Sequence, residues 1–90
     1  MNKKRVQQRL LQGLESEEKI DILISMTSIR GEAKLRYLKR HYVNGWSREH
    51  IKASGMDMSN FDSADKILNT VADKYTRLCE LECLVKKSVK

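Results

Sequence analysis

Ninety residues carry 40% hydrophobic and 33% charged side chains and no proline, a balance that gives one small domain and holds too many apolar residues for a disordered chain. Aromatic residues make up only 6%, and no stretch alternates cleanly between apolar and polar, which argues against a sheet and for an all-α fold. The formal net charge of +6 favours a polyanionic partner, while the apolar runs are far too short to cross a bilayer.

Residues 1–14 hold Lys3, Lys4, Arg5 and Arg9 and no acid. Val6, Leu10 and Leu14 fall at i, i+4 and i+8, so the segment reads as a short amphipathic helix weakened at Gly13 or as a basic N-terminal arm, with a frayed terminus as the alternative. Residues 15–90 read as a single helix-turn-helix domain with an extended C-terminal helix. The span from Met1 to Leu14 lacks the continuous apolar core of a secretory signal, and Cys79 and Cys83, four apart in a helical stretch, are poorly placed to pair with each other. A reducing cytoplasm is the expected setting.

The first strong helix is predicted over 16–28, with Ser16 as N-cap and Glu17 and Glu18 in the first turn, where carboxylates suit the helix dipole. Ile20, Leu23 and Ile24 form its apolar face, which Ile22, Met26 and Ile29 widen. The next helix is predicted over 31–43, with Leu35, Leu38 and Tyr42 as the buried stripe and Asn44-Gly45 as its stop. Arg36 and Arg40 share one flank at i, i+4, with Lys34 and His41 on the other.

Ser47 then caps a short helix over 48–54, with Trp46 and Ile51 at the spacing of a hydrophobic staple, and Gly55 ends it. A new helix starts within a few residues, capped either by Asp57, with Met56 and Phe61 as the staple, or by Ser59. From there Phe61, Ala64, Leu68, Val71, Tyr75 and Leu78 step at helical spacing, and nothing after Gly55 stops the helix. So long a helix outruns a small globule: it breaks between Leu78 and Cys83, or its far end packs on another subunit.

A short capped helix, a glycine-containing turn and a second helix make the helix-turn-helix pattern, in which the first helix braces the second for the DNA groove. Here 48–54 is the brace, and the reader presents Asn60, Asp62, Ser63, Lys66, Asn69 and Thr70 outward. Asn and Lys can bond base edges and Ser can reach bases or phosphate, whereas Asp62 and Asp65 repel phosphate. The same pattern also occurs in helical bundles that bind no DNA. Charge segregates along the chain: Arg30, Lys34, Arg36, Lys39, Arg40, Arg48 and Lys52 stand against Glu32 and Glu49, and this basic stretch precedes an acid-rich one. Phosphate anchoring from the basic stretch is therefore expected.

Residues 23–78 resemble the PapB-type family of fimbrial (adhesin biosynthesis) transcription regulators. The resemblance is carried by the ISMTSI run, the aromatic before Val43-Asn44-Gly45, Ser47-Arg48-Glu49, and Asn60-Phe61 with Ser63. It implies an all-α regulator of a fimbrial operon that recognises repeated AT-rich sites, with minor-groove contacts, and assembles as an oligomer along double-stranded DNA. By position it makes Arg36, Arg40, Arg48 and the start of the 60s helix the DNA-facing set. The acids Asp62 and Asp65 depart from a neutral or basic reader and shift the expectation towards recognition of DNA shape.

Catalysis is not expected, since His41 and His50 have no matched nucleophile and are assigned to the surface or to phosphate. No cofactor is expected, and no metal, since zinc needs about four ligands where Cys79 and Cys83 offer two. The thiols are assigned to core or interface packing. The rival reading is a helical adaptor that binds another protein, and a membrane-surface helix is weaker because the basic residues do not line one polar face. Surplus apolar residues on the 16–29 helix and after Tyr75 predict self-association, at least to a dimer.

Overall fold

The computed structural model describes residues 10–88, with side chains as far as Cys83. Among the described residues the fold is all-α and has four helices: α1 (Glu17–Ser25), α2 (Glu32–Tyr42), α3 (Arg48–Ala53) and α4 (Met58–Ser88). The basic cluster of the predicted N-terminal arm, Lys3 to Arg9, lies outside the described residues.

The caps fall where short polar side chains precede apolar spacing. Ser16 Oγ accepts from the Lys19 N–H at 3.1 Å and Ser47 Oγ from the His50 N–H at 3.1 Å, each satisfying a donor the helix leaves orphaned. Asp57, one of the two candidates, caps α4: its Oδ1 accepts from the N–H groups of Ser59 at 2.9 Å and Asn60 at 3.2 Å. Buried Met56 and Phe61 flank that cap. α1 stops three residues short of its predicted end at 28. The Thr27 hydroxyl donates to the Ile24 carbonyl at 2.7 Å and accepts from the Ile29 N–H at 3.2 Å, a local turn that outcompetes another helical turn.

Residues 10–15 dock on the end of α2. The N–H groups of Gly13 and Glu15 donate to the carbonyls of His41 and Tyr42, and the Gln12 side chain donates to the Gly45 carbonyl. The C-terminal carbonyls of α2 thus gain partners from outside the helix. This contact needs glycine on both sides: Gly13 and Gly45 both have positive φ, and a Cβ on Gly13 would lie 3.0 Å from the Gly45 Cα. Leu10, at the head of this segment, is buried in the core.

α4 is the backbone of the fold and packs chiefly on α2, then on α1. Its inward face is Phe61, Ala64, Leu68 and Ala72, set against Leu38 and Tyr42 of α2, Ile20 and Leu23 of α1, and Ile51 of α3. The expected α2 stripe needs one correction. Leu38 and Tyr42 are buried, but Leu35 is only half-buried and not part of the core. The inward face is rotated towards His41, whose ring meets Phe61 edge-on at 5.8 Å and Tyr42 edge-on at 4.6 Å. His41 Nδ1 lies 2.7 Å from the Trp46 carbonyl, so this histidine is half-buried and structural instead of facing solvent or phosphate.

The expected stripe of α4 is likewise inward only in its first half. Tyr75 and Leu78 are exposed, as are Cys79 and Cys83, so the thiols are not core residues. α4 does not break at Leu78–Cys83 but runs on to Ser88. No described helix is long and apolar enough to cross a membrane.

Phe61 is fully buried, so Phe61→Ala is expected to cost about 3–5 kcal/mol in chemical denaturation, the range for truncating a packed aromatic ring. Trp46, half-buried at the edge of the core, should lose clearly less on truncation. Equal losses at the two positions would contradict this packing.

Candidate nucleic-acid interface

α3, the turn at Ser54–Asp57 and the start of α4 form the helix-turn-helix. Ile51, Met56 and Phe61 are buried beneath it and fix the crossing of the two helices. Gly55, at φ +99°, makes the tight reversal, a backbone state that side chains with a Cβ rarely adopt.

The proposed contact residues divide into three groups. Arg36 and Arg40 are exposed on α2 and line a cleft of about 260 Å³ with Lys39, Val43, Asn44 and Glu17. Neither arginine has a carboxylate partner among the described residues. Lys39 is bound to α1 instead, 2.6 Å from Asp21 and 3.4 Å from Glu17, and this pairing, with Asp21 foremost, raises its pKa. Lys52 is exposed on α3 with no ion pair among the described residues.

Arg48 is already engaged. Its guanidinium is 2.6 Å from Asp62 and 5.8 Å from the centre of the Phe61 ring, so it clamps α3 to α4. The hydrogen bond from Arg48 holds the Asp62 carboxyl below its ordinary range, and Asp62 in turn raises Arg48. The acid that conflicted with a reader helix is thereby neutralised by its neighbour.

On α4, Asn60, Ser63 and Lys66 are exposed along successive turns, as expected of a reader. Asn69 is not. Its side chain is 6% exposed, and its amide donates to the Tyr42 hydroxyl at 3.0 Å and to the Asp65 side chain at 3.0 Å. Asn69 is therefore removed from the predicted DNA-facing set. The half-buried Asp65 also turns inward: the Tyr42 hydroxyl donates to its Oδ1 at 2.6 Å. Spacing alone misplaced these two because the inward arc of α4 is widened by a polar contact that apolar periodicity does not register.

One part of this surface is not evident from periodicity. The Trp46 ring stacks flat on His50, centroids 3.9 Å apart and planes within 8°, and Arg40 lies 5.3 Å from the Trp46 ring centre. Tyr37 stands beside it at 6.3 Å. Trp46 thus gives its ring face to His50, next to the expected staple partner Ile51. The stack links the arginine flank of α2 to α3 through a cation–aromatic contact. The signal in the sequence is Arg40, Trp46 and His50 around the Ser47 cap, legible only once the turn is known to fold Trp46 back.

No protein-family profile, curated protein or solved structure matches the chain. Among the described residues no cluster of His, Cys, Asp or Glu is arranged to hold a metal ion.

The Arg48–Asp62 pair gives a pH test. The folded pKa of Asp62 is depressed below 3.8, so its stabilising effect is complete above that value and is lost as pH falls through the folded one. Asp62→Asn should melt below the wild type at neutral pH, by the small margin of an exposed ion pair. The two curves should converge as the pH falls through the depressed folded pKa of Asp62. A constant gap across that range would show that the pair is not formed.

Proposed function

We propose that this chain is a non-enzymatic regulator that binds double-stranded DNA, anchoring phosphates through α2 and α3 and presenting the start of α4 to the duplex. The observation that carries this reading is the continuous run of Arg36, Arg40, Trp46 and His50 from α2 to α3, in which both arginines lack carboxylate partners among the described residues. Lys52 adds an exposed cation on the other flank of α3, beside Arg48 and Glu49, and Asn60, Ser63 and Lys66 supply the exposed polar face of α4. Asn60 and Lys66 can each bond a base edge, but the carboxylate of Asp62 lies on the same helix, whereas the exposed arginines suit a narrow, strongly negative minor groove. This favours recognition of AT-rich DNA by shape. The resemblance to PapB-type regulators supports the same reading and adds repeated sites in a fimbrial operon as the target.

Fluorescence anisotropy with AT-rich and GC-rich duplexes across a salt series tests the proposal. Arg36→Ala and Arg40→Ala should weaken binding to both duplexes, each lowering the slope of log affinity against log salt by about 1. Asp62→Asn should tighten binding and steepen that slope, because Arg48 is released towards phosphate. A minor-groove ligand of the distamycin type should displace the protein. Salt-insensitive binding, or no binding to either duplex, would overturn the reading and leave a protein adaptor in its place.

A further inference from the structure

α4 carries a second apolar stripe that the domain uses only at Val71, which packs against the edge of the core. Ile67, Val71, Lys74, Leu78 and Leu81 are spaced 4, 3, 4 and 3, and Val85 occupies the next register position. That is the alternation of a coiled-coil seam, interrupted by one lysine. It lies about 100° around the helix from the inward face, since Ile67 is one position before the fully buried Leu68. Ile67, Leu78 and Leu81 are 41%, 52% and 58% exposed, and Lys74, Arg77, Leu78 and Leu81 line a shallow trough of about 570 Å³.

We infer that this stripe is the seam of a parallel two-stranded coiled coil between the α4 helices of two copies of this chain. The charges beside it select that partner and that direction. In a parallel pair the residue flanking one side of the seam faces the residue five positions further on in the other chain. Arg77 therefore faces Glu82 of the second copy, and two-fold symmetry forms the bridge twice. In the antiparallel alternative Arg77 falls opposite position 84, a leucine, and Glu82 opposite Tyr75, with no charge pair. Arg77 is available for this contact, being 64% exposed and held to Asp73 only at 3.5 Å. Lys74 sits within the seam, where its stem packs while the ammonium reaches water, a polar position that fixes register and weakens association. The inference stands apart from DNA binding, and its test contains no DNA.

Sedimentation equilibrium of the full chain under reducing conditions, from ~1 to ~100 µM, spans the affinity range of a short seam with a polar position. The wild type should pass from monomer to dimer, and Leu78→Glu should stay monomeric with an unchanged melting temperature at the dilute end. Lys74→Leu should tighten the dimer about tenfold or more by removing the polar layer. Arg77→Glu should weaken it, and Arg77→Glu combined with Glu82→Arg should restore it. A wild-type monomer throughout, a Leu78→Glu protein that dimerises like the wild type, or a charge swap that fails to restore association would each overturn the parallel seam.

Discussion

The hydroxyl of Tyr42 holds the rest of this fold in register. It donates to Asp65 and accepts from the Asn69 amide, so the last turn of α2 is tied to consecutive turns of α4. The carbonyl of the same residue accepts from the Glu15 N–H, which brings the segment from Leu10 onto the same corner. Apolar contact alone would let α4 slide or rotate against α2, because such packing is not directional. A buried polar cluster does not permit that, since any slip strands groups whose desolvation is costly. The Asn69 carbonyl oxygen has no partner, and turning the amide round would aim it at the Asp65 carboxylate, so its orientation is also fixed.

Much of the architecture was legible in the sequence because its signals are local. Ser16, Ser47 and Asp57 act through their own backbone neighbours, and glycine at positions 45 and 55 acts through φ alone. What could not be read depends on pairs distant in sequence. Tyr42 and Asp65 are 23 positions apart, and Gly13 and Gly45 meet only after α1 and α2 have folded back on each other. Leu35 and Asn69 were misplaced for one reason: the inward arc of each helix is shifted by polar or aromatic partners on the facing helix. Among the candidate DNA contacts, Arg36, Arg40, Lys52, Asn60, Ser63 and Lys66 are exposed as periodicity implied, and Arg48 is exposed but engaged by Asp62.

The length of α4 follows from its several roles. Its first turns complete the helix-turn-helix, its middle supplies the inward face of the core, and its last turns leave the domain. A 31-residue helix is roughly 47 Å long, against molecular dimensions of 53 × 32 × 22 Å, so it spans the long axis and cannot be enclosed. Once Ala72 leaves the core, further apolar residues gain nothing from this domain. Their continued presence at Leu78 and Leu81, at coiled-coil spacing, is hard to reconcile with a tail that meets only water.

The acids of α4 bear on whether such a helix can approach DNA at all. Counted by sequence, Asp57, Asp62, Asp65 and Asp73 make its first half repulsive to phosphate. In the folded chain each is engaged internally. Asp57 caps the helix, Asp62 holds Arg48, Asp65 accepts from Tyr42, and buried Asp73 pairs with Arg77. A carboxylate bound to a cation or to donors projects far less field than a free one, because the partner's charge or dipoles oppose it at short range. The basic residues of α2 are not spent in the same way, apart from Lys39, which α1 retains. Charge is therefore separated more sharply in the folded chain than along its sequence. On that surface Arg36, Arg40 and Lys52 are exposed while the aspartates of α4 are bound internally, and the exposed Glu32 and Glu49 are the carboxylates that an approaching phosphate backbone would meet.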